Sequence, residues 1–278
     1  MKKALAIVLV LGLTIGLLAG CGAQKENAGE GQTKSTGKLV IGATPVPHAE
    51  ILEKAKEMLA KKNIELDIKV FTDYVTPNTA LAEKSLDANY FQHLPYLEDF
   101  NKQNNTDLVS TAAIHYEPMG LYSKKIKALT ELKAGDKIAV PNDVTNEARA
   151  LLLLQDNGIL KLKDPNNLKA TKKDIAEYKV KVEIVELEAA QISRTLPDVT
   201  AAVINGNYAI DAKLNPSKDA IVTEGQTSLA AKTYANIVVV RKGDENRPEI
   251  KALDEVLKSP EMKKFIEEKY QGSVLPVE

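Results

Sequence analysis

The order of apolar runs constrains this chain most: short β-prone stretches of the ~4–8 residues a strand uses alternate with longer stretches whose apolar residues recur at helical spacing. Residues 38–43 read as a strand broken by Pro45 and Pro47. Residues 48–62 then carry Ile51, Leu52, Ala55, Met58 and Leu59 on one helical face. The pattern predicts further strands over 64–71 and 108–114, with helices over 77–85 and 94–103. The second half repeats it, with strands predicted at 137–140, 180–187 and 200–204 and helices at 146–157, 189–196 and 207–214. Residues 234–241 are the most β-prone run, and two helices, 248–257 and 260–270, close the chain. Strand–helix alternation of this kind predicts an α/β fold with largely parallel sheets. No Pro-, Gly- or Ser-rich linker divides the halves after residue 37, so two lobes joined by ordinary strands fit better than two separate beads.

The N-terminus reads differently. Met1-Lys2-Lys3 precedes an apolar run over 4–19 that ends in Leu18-Ala19-Gly20-Cys21, a secretory signal over 1–20 with a lipoprotein cleavage box. The run is shorter than the ~20 residues of a membrane span. Cys21, the sole cysteine, is the expected lipidation site, and its acyl chains would hold the protein on the extracytoplasmic face of the cell membrane. Residues 21–37 are expected to be a flexible tether, rich in Gly, Gln, Lys, Glu, Ser and Thr with almost nothing to bury. With no second cysteine to form a disulfide, the exported part must be held by its core, which this length permits. Lys plus Arg number 37 against 38 Asp plus Glu, a balance that indicates neither nucleic acid nor a polybasic membrane patch.

Ligands of α/β lobes bind beyond the carboxyl ends of strands, and several distinctive polar residues fall there: Thr72-Asp73-Tyr74, His115-Tyr116, residues 141–146 and Asn205-Gly206-Asn207. In the second of these halves, Asp143 and Thr145 are both N-cap candidates for a helix that runs through Leu151–Leu154 and stops at Gly158. Arg149 sits in its opening turns, where a cation opposes the macrodipole. It is either an ordinary solvated arginine or one that faces a bound anion. Asn205 ends an apolar strand and is either a helix N-cap or a carboxamide able to accept from an ammonium and donate to a carboxylate.

Aromatic residues make up only 5% of the chain, with no Trp, yet Phe71, Tyr74, Tyr90, Phe91, Tyr96, Phe100 and Tyr116 cluster in the first half. They could pack a core or line a slot for a soft apolar side chain. His48, His93 and His115 admit an alternative, a metal-binding receptor, although no His-x-x-x-His pair occurs. No nucleophile elbow, phosphate loop or His-Glu-x-x-His helix is present, so an enzyme is the weaker reading, and no cofactor is implied.

Phe71-Thr72-Asp73-Tyr74-Val75-x-Pro77-Asn78, Asp87-Ala88-Asn89-x-Phe91-Gln92-His93-x-Pro95-Tyr96-Leu97, Pro141-Asn142-Asp143-x-Thr145-Asn146 and Ile184-Val185-Glu186-Leu187-Glu188, together with the Cys21 box, resemble the NlpA/MetQ lipoproteins, substrate-binding components of methionine ABC importers. The resemblance spans essentially the whole exported part. It implies a two-lobed type II periplasmic-binding-protein fold with the ligand in the interlobe cleft, lobe 1 comprising 38–122 plus 234–278 and lobe 2 comprising 123–233. It also implies a monomeric receptor that delivers L-methionine, or a close relative such as D-methionine or a methionine-containing dipeptide, to a permease and its ATPase subunit. Arg149 and Asn146 would meet the ligand carboxylate and Asn205 its α-amino end. Phe71, Tyr74, Phe91, His93 and His115 would surround the side chain.

Overall fold

The computed structural model describes residues 37–225 and 233–277. The expected signal over 1–20, Cys21 and the tether up to residue 36 lie outside the described residues. The chain first lays down β1 (Gly37–Ala43), α1 (Glu50–Ala60), β2 (Ile64–Val70), α2 (Thr76–Ala82), β3 (Ala88–His93), α3 (Leu94–Asn104) and β4 (Leu108–Tyr116). It continues through β5 (Gly120–Tyr122), β6 (Lys137–Pro141), α4 (Val144–Asp156), β7 (Leu160–Leu162), β8 (Ile175–Tyr178), β9 (Glu183–Leu187), α5 (Ala189–Ile192), β10 (Ala201–Ile204), α6 (Gly206–Asp211) and β11 (Val222–Thr223). It ends with β12 (Asn236–Arg241), α7 (Pro248–Leu257), α8 (Pro260–Tyr270) and β13 (Leu275–Pro276).

These strands form a six-stranded sheet, β13-β4-β12-β3-β1-β2, and a five-stranded sheet, β11-β5-β10-β6-β9. β7 and β8 pair separately. Each large sheet has a parallel block that runs to one edge, β3-β1-β2 in the first and β10-β6-β9 in the second. The prediction of largely parallel sheets misses β12 and the short β13 in the first sheet and β5 in the second. β12 runs antiparallel between β3 and β4, and β5 runs antiparallel beside β10. The reason lies in where the chain changes sheet. β12 begins at Asn236, paired with His93 and His115 near the carboxyl ends of β3 and β4. β5 begins at Gly120, opposite Ile204 at the carboxyl end of β10. A strand that enters a sheet at its neighbours' carboxyl ends must run against them. β5 thus hydrogen-bonds within the second sheet, so the first crossing falls between Tyr116 and Gly120, ahead of the expected boundary at residue 122.

Helices cover both faces of each sheet. α1 buries Ile51, Leu52, Ala55 and Leu59 at its predicted spacing, with Ile250, Leu253, Met262 and Ile266 of α7 and α8 in the same core. Each such fully buried Leu or Ile contributes about 1.5–3 kcal/mol. On the opposite face, Leu81, Leu97 and Phe100 of α2 and α3 pack on Ile237 and Val239. In the second sheet α4 packs Leu151, Leu153 and Leu154 on Ile138 and Val140. Asp143 caps this helix through the Asn146 amide at 3.0 Å, and Gly158 follows it with φ +70°, the left-handed conformation expected beyond a helix end. Among the described residues no helix is long and apolar enough to cross a membrane.

Candidate functional site

The carboxyl ends of the two sheets face one another across a narrow cleft. Tyr74, Phe91, Gln92, His93, Tyr96 and Asn236 line it from the first sheet. Asn146, Arg149, Asn205, Gly206 and Asn207 line it from the second, and Glu117 lines it from the crossing segment.

Asn146 and Arg149 stand three residues apart on α4 and so share one helix face. Both are buried, at 1% and 4% exposure. Asn146 Nδ2 donates to the Asp143 carboxylate at 2.9 and 3.0 Å, and its Oδ1 accepts from Asn205 Nδ2 at 2.7 Å. His93 Nδ1 accepts the Tyr96 amide at 3.3 Å, which leaves Nε2 to donate to Asn146 Oδ1 at 3.2 Å. Burial, then the Arg149 charge, push the His93 pKa down to about 3, so this ring is neutral. Asn205 Oδ1 is buried and has no hydrogen-bond partner. A buried acceptor left unpaired costs about 1–3 kcal/mol, so this atom marks a place where a donor belongs.

Arg149 lines the cleft, as expected of a residue that meets a ligand carboxylate, but most of its planar fork is already engaged within the protein. Nε and Nη2 donate to the Glu224 carboxylate at 2.8 and 2.6 Å, and Nη2 also reaches the Glu117 carbonyl at 2.8 Å. The guanidinium lies 4.5 Å from the Tyr234 ring centroid and 5.6 Å from that of Tyr116. Burial works against the charge, but the Glu224 carboxylate outweighs it and holds the Arg149 pKa above its ordinary value. The fork was assigned to the ligand because a carboxylate 75 residues away in sequence cannot be matched to it without the fold.

Glu117 is held in a second polar cluster. Its Oε1 lies 2.6 Å from His115 Nε2 and 3.3 Å from His48 Nε2. Thr44 Oγ1 is 2.7 Å from His48 Nδ1, and the Tyr90 hydroxyl bonds His115 Nδ1. Burial lowers the pKa of His48 to about 4 and of His115 to about 3, so both imidazoles are neutral. With each Nδ1 accepting from a hydroxyl, His115 Nε2–H donates to the Glu117 carboxylate, while His48 Nε2–H donates to Asn236 Oδ1 at 3.0 Å and has Glu117 as its more distant neighbour. Burial pushes the Glu117 pKa up, opposed by His48, Arg149 and the Asn207 amide.

His48, His115 and Glu117 are also the described residues whose donor atoms converge as a metal would need, all within 4.8 Å of one another. The fit is poor. A tetrahedral zinc with ~2.0 Å bonds holds its ligand atoms roughly 3.3 Å apart, whereas the 2.6 Å between His115 and Glu117 is a hydrogen-bond separation. His93, the third histidine of the metal alternative, is instead engaged with Asn146.

The aromatic wall forms around Tyr74, whose ring centroid lies 5.9 Å from Phe91, 5.8 Å from Tyr96 and 4.9 Å from Tyr208. Phe91 owes its position to a register slip. Ile237 pairs with Gln92 and Val238 with Tyr90, so Phe91 is the extra residue of a bulge, a device that re-aims a side chain. Two expected residues lie outside the cleft lining. Phe71 packs beside Gly42 and Leu86 in the first-sheet core, and His115 stands behind Glu117. Glu117, Asn236 and Glu224 escaped the sequence pattern, whereas Asn207 belongs to the strand-end stretch that the pattern singles out. Glu117 follows the flagged His115-Tyr116 strand end, but nothing local distinguishes it from the chain's other carboxylates.

The sequence matches the NlpA lipoprotein family over residues 39–278. It is 43% identical to the methionine-binding lipoprotein MetQ of Bacillus subtilis, covering 100% of this chain and 99% of that protein. Among solved structures, a periplasmic substrate-binding protein of an ABC transporter from Coxiella burnetii matches with TM-score 0.81 at 46% identity, over 86% of this chain and 100% of that one. A nutrient-binding protein from Burkholderia cenocepacia bound to methionine matches with TM-score 0.82 at 44% identity, again over 86% and 100%. The fold is that of the periplasmic binding proteins, and the chain belongs to the NlpA lipoprotein family.

Proposed function

We propose that this protein is the receptor of an ABC importer, anchored through lipid on Cys21 to the outer face of the cell membrane. It binds L-methionine in the cleft and delivers it to a permease driven by a separate ATPase subunit. Lobe 1 is built on the first sheet and lobe 2 on the second, and they hinge shut on the ligand. The observation that carries this reading is a narrow cleft between two sheets that pairs an aromatic wall with a buried cation and an unpaired buried acceptor. Tyr74, Phe91 and Tyr96 suit a thioether chain, since sulfur contacts aromatic edges favourably. Arg149 meets the ligand carboxylate through Nη1 alone, because Nε and Nη2 are committed to Glu224. Asn205 Oδ1 accepts from the ligand's α-amino end. The relatives named for methionine support the same ligand class.

Arg149→Ala would disturb the Glu224 pair as well as the ligand, so Asn205→Ala is the cleaner test. It removes the unpaired acceptor of the cleft, together with the 2.7 Å bond from Asn205 Nδ2 to Asn146, and leaves the Arg149–Glu224 ion pair intact. Calorimetry should show methionine binding to the wild-type protein and at least tenfold weaker binding to an Asn205→Ala variant that still unfolds cooperatively. Equal affinities would refute the assignment of Asn205, and no methionine binding by the wild-type protein, including after unfolding and refolding to strip carried ligand, would refute the function.

A further inference from the structure

We propose that Glu117 is the anionic anchor for the ligand's α-ammonium, held ready by the His48 and His115 imidazoles; this rests on the reading of the cleft as an amino-acid site. Glu117 lines the cleft at 4% exposure. Among the described residues no cationic side chain pairs with its carboxylate. Its close partners are the imidazoles, and Arg149 reaches only its backbone carbonyl. A buried carboxylate without a direct ion pair is costly, and an ammonium arriving in the cleft would offset that cost.

The surroundings suit an ammonium in particular. Such a group offers three N–H donors and no acceptor. Around Glu117 the cleft presents acceptors: the carboxylate itself, the unpaired Asn205 Oδ1, and Asn236 Oδ1, which takes His48 Nε2 at 3.0 Å and keeps a second lone pair. Gly206, between Asn205 and Asn207, allows the close approach. A Cβ there would stand 2.6 Å from Glu117 Cβ and 3.2 Å from its Oε2. The histidines act as positioning residues. Each spends Nδ1 on a hydroxyl; His115 Nε2 then donates to Glu117 at 2.6 Å, while His48 Nε2 donates to Asn236 and stands 3.3 Å from the carboxylate, which orients the group without neutralising it.

The consequence is a substrate class: free amino acids with an unmodified α-ammonium, in preference to N-acylated ones or to peptides that carry the ammonium one residue further out. A site built around a hydrogen-bonded polar group rejects analogues that lack it by large factors. The test crosses two receptors with two ligands by calorimetry on the full chain in detergent. Wild type and Glu117→Gln are each titrated with methionine and with its des-amino analogue, 4-(methylthio)butanoate. Wild type should bind methionine at least a hundredfold more tightly than the analogue. Glu117→Gln should lose at least a hundredfold for methionine and discriminate between the two ligands by less than threefold. The proposal is overturned if Glu117→Gln keeps wild-type methionine affinity or weakens both ligands by one factor. Should that variant fail to fold, wild type alone decides, because binding of the analogue within tenfold of methionine overturns the anchor. A wild type that does not bind methionine at all refutes the underlying function instead.

Discussion

Glu224 and Arg149 form an ion pair whose side chains are 7% and 4% exposed. The carboxylate also accepts the Tyr116 hydroxyl at 2.7 Å and the Met119 amide at 2.8 Å. One side chain therefore ties α4 of the second sheet to the end of β4 in the first and to the segment that crosses between them. Removing one partner of a buried pair strands the other charge, at a cost of about 3–5 kcal/mol. Glu224→Ala should lose stability on that scale in urea unfolding and should also weaken methionine binding, although Glu224 does not line the ligand cleft. Unchanged stability would mean that Arg149 finds another counter-ion. At this scale Arg149 was legible because a cation at a helix start breaks a local rule, while Asn205 at a strand end fits an N-cap equally well. The Arg149 partner Glu224 carries no comparable mark.

The elements were legible where burial is one-sided and obscure where it is not. α1, α4 and the closing helices appear within a few residues of their predicted spans, since their apolar spacing matches the helical period. β3 escaped detection. All six of its residues are buried, so it shows no alternation, and three of them are amides or imidazole. Those polar groups are satisfied by tertiary partners: Asn89 and Gln92 bond Asn78 of α2 at 2.6–2.8 Å. α7 offers a prediction with a pH dependence. Asp254 accepts the Thr111 hydroxyl at 3.0 Å, and burial, opposed by that bond and by Lys258, pushes its pKa up to about 6 from 3.8. Between those values the folded state holds the proton more tightly, so this carboxyl costs stability as pH rises towards 6 and the cost persists above it. Asp254→Asn keeps the acceptor without the charge. It should raise the urea midpoint at pH 8 and leave it nearly unchanged at pH 4. An equal gain at both values would assign the effect to packing.

For the whole molecule, the described arrangement is a closed one. The Tyr74 hydroxyl donates to Asn207 Oδ1 at 2.5 Å and the Tyr208 hydroxyl to the Thr72 carbonyl at 3.1 Å. His93 meets Asn146 at 3.2 Å and Lys169 meets Asp99 at 3.2 Å, so four links join the two sides of the cleft. Each exchanges for water on opening and contributes little net free energy, on the order of 1 kcal/mol or less. The ligand therefore supplies much of the drive to close. Methionine at a hundred times its Kd should stabilise the wild-type protein by about 2.7 kcal/mol, seen as a higher urea midpoint at constant slope. A midpoint indifferent to methionine would show that the closed cleft does not depend on it.

By itself the sequence determined the α/β class, most helices, and the cation at the start of α4 that breaks a local rule. These are local properties of period, composition and capping. Only the tertiary structure decided that β5 and β12 run antiparallel, that Arg149 spends its fork on Glu224, and that Glu117 stands in the cleft against His48 and His115. Each of these depends on residues dozens to hundreds of positions apart meeting at the carboxyl ends of two sheets, where the energetics come from burial and pairing that no window of sequence contains.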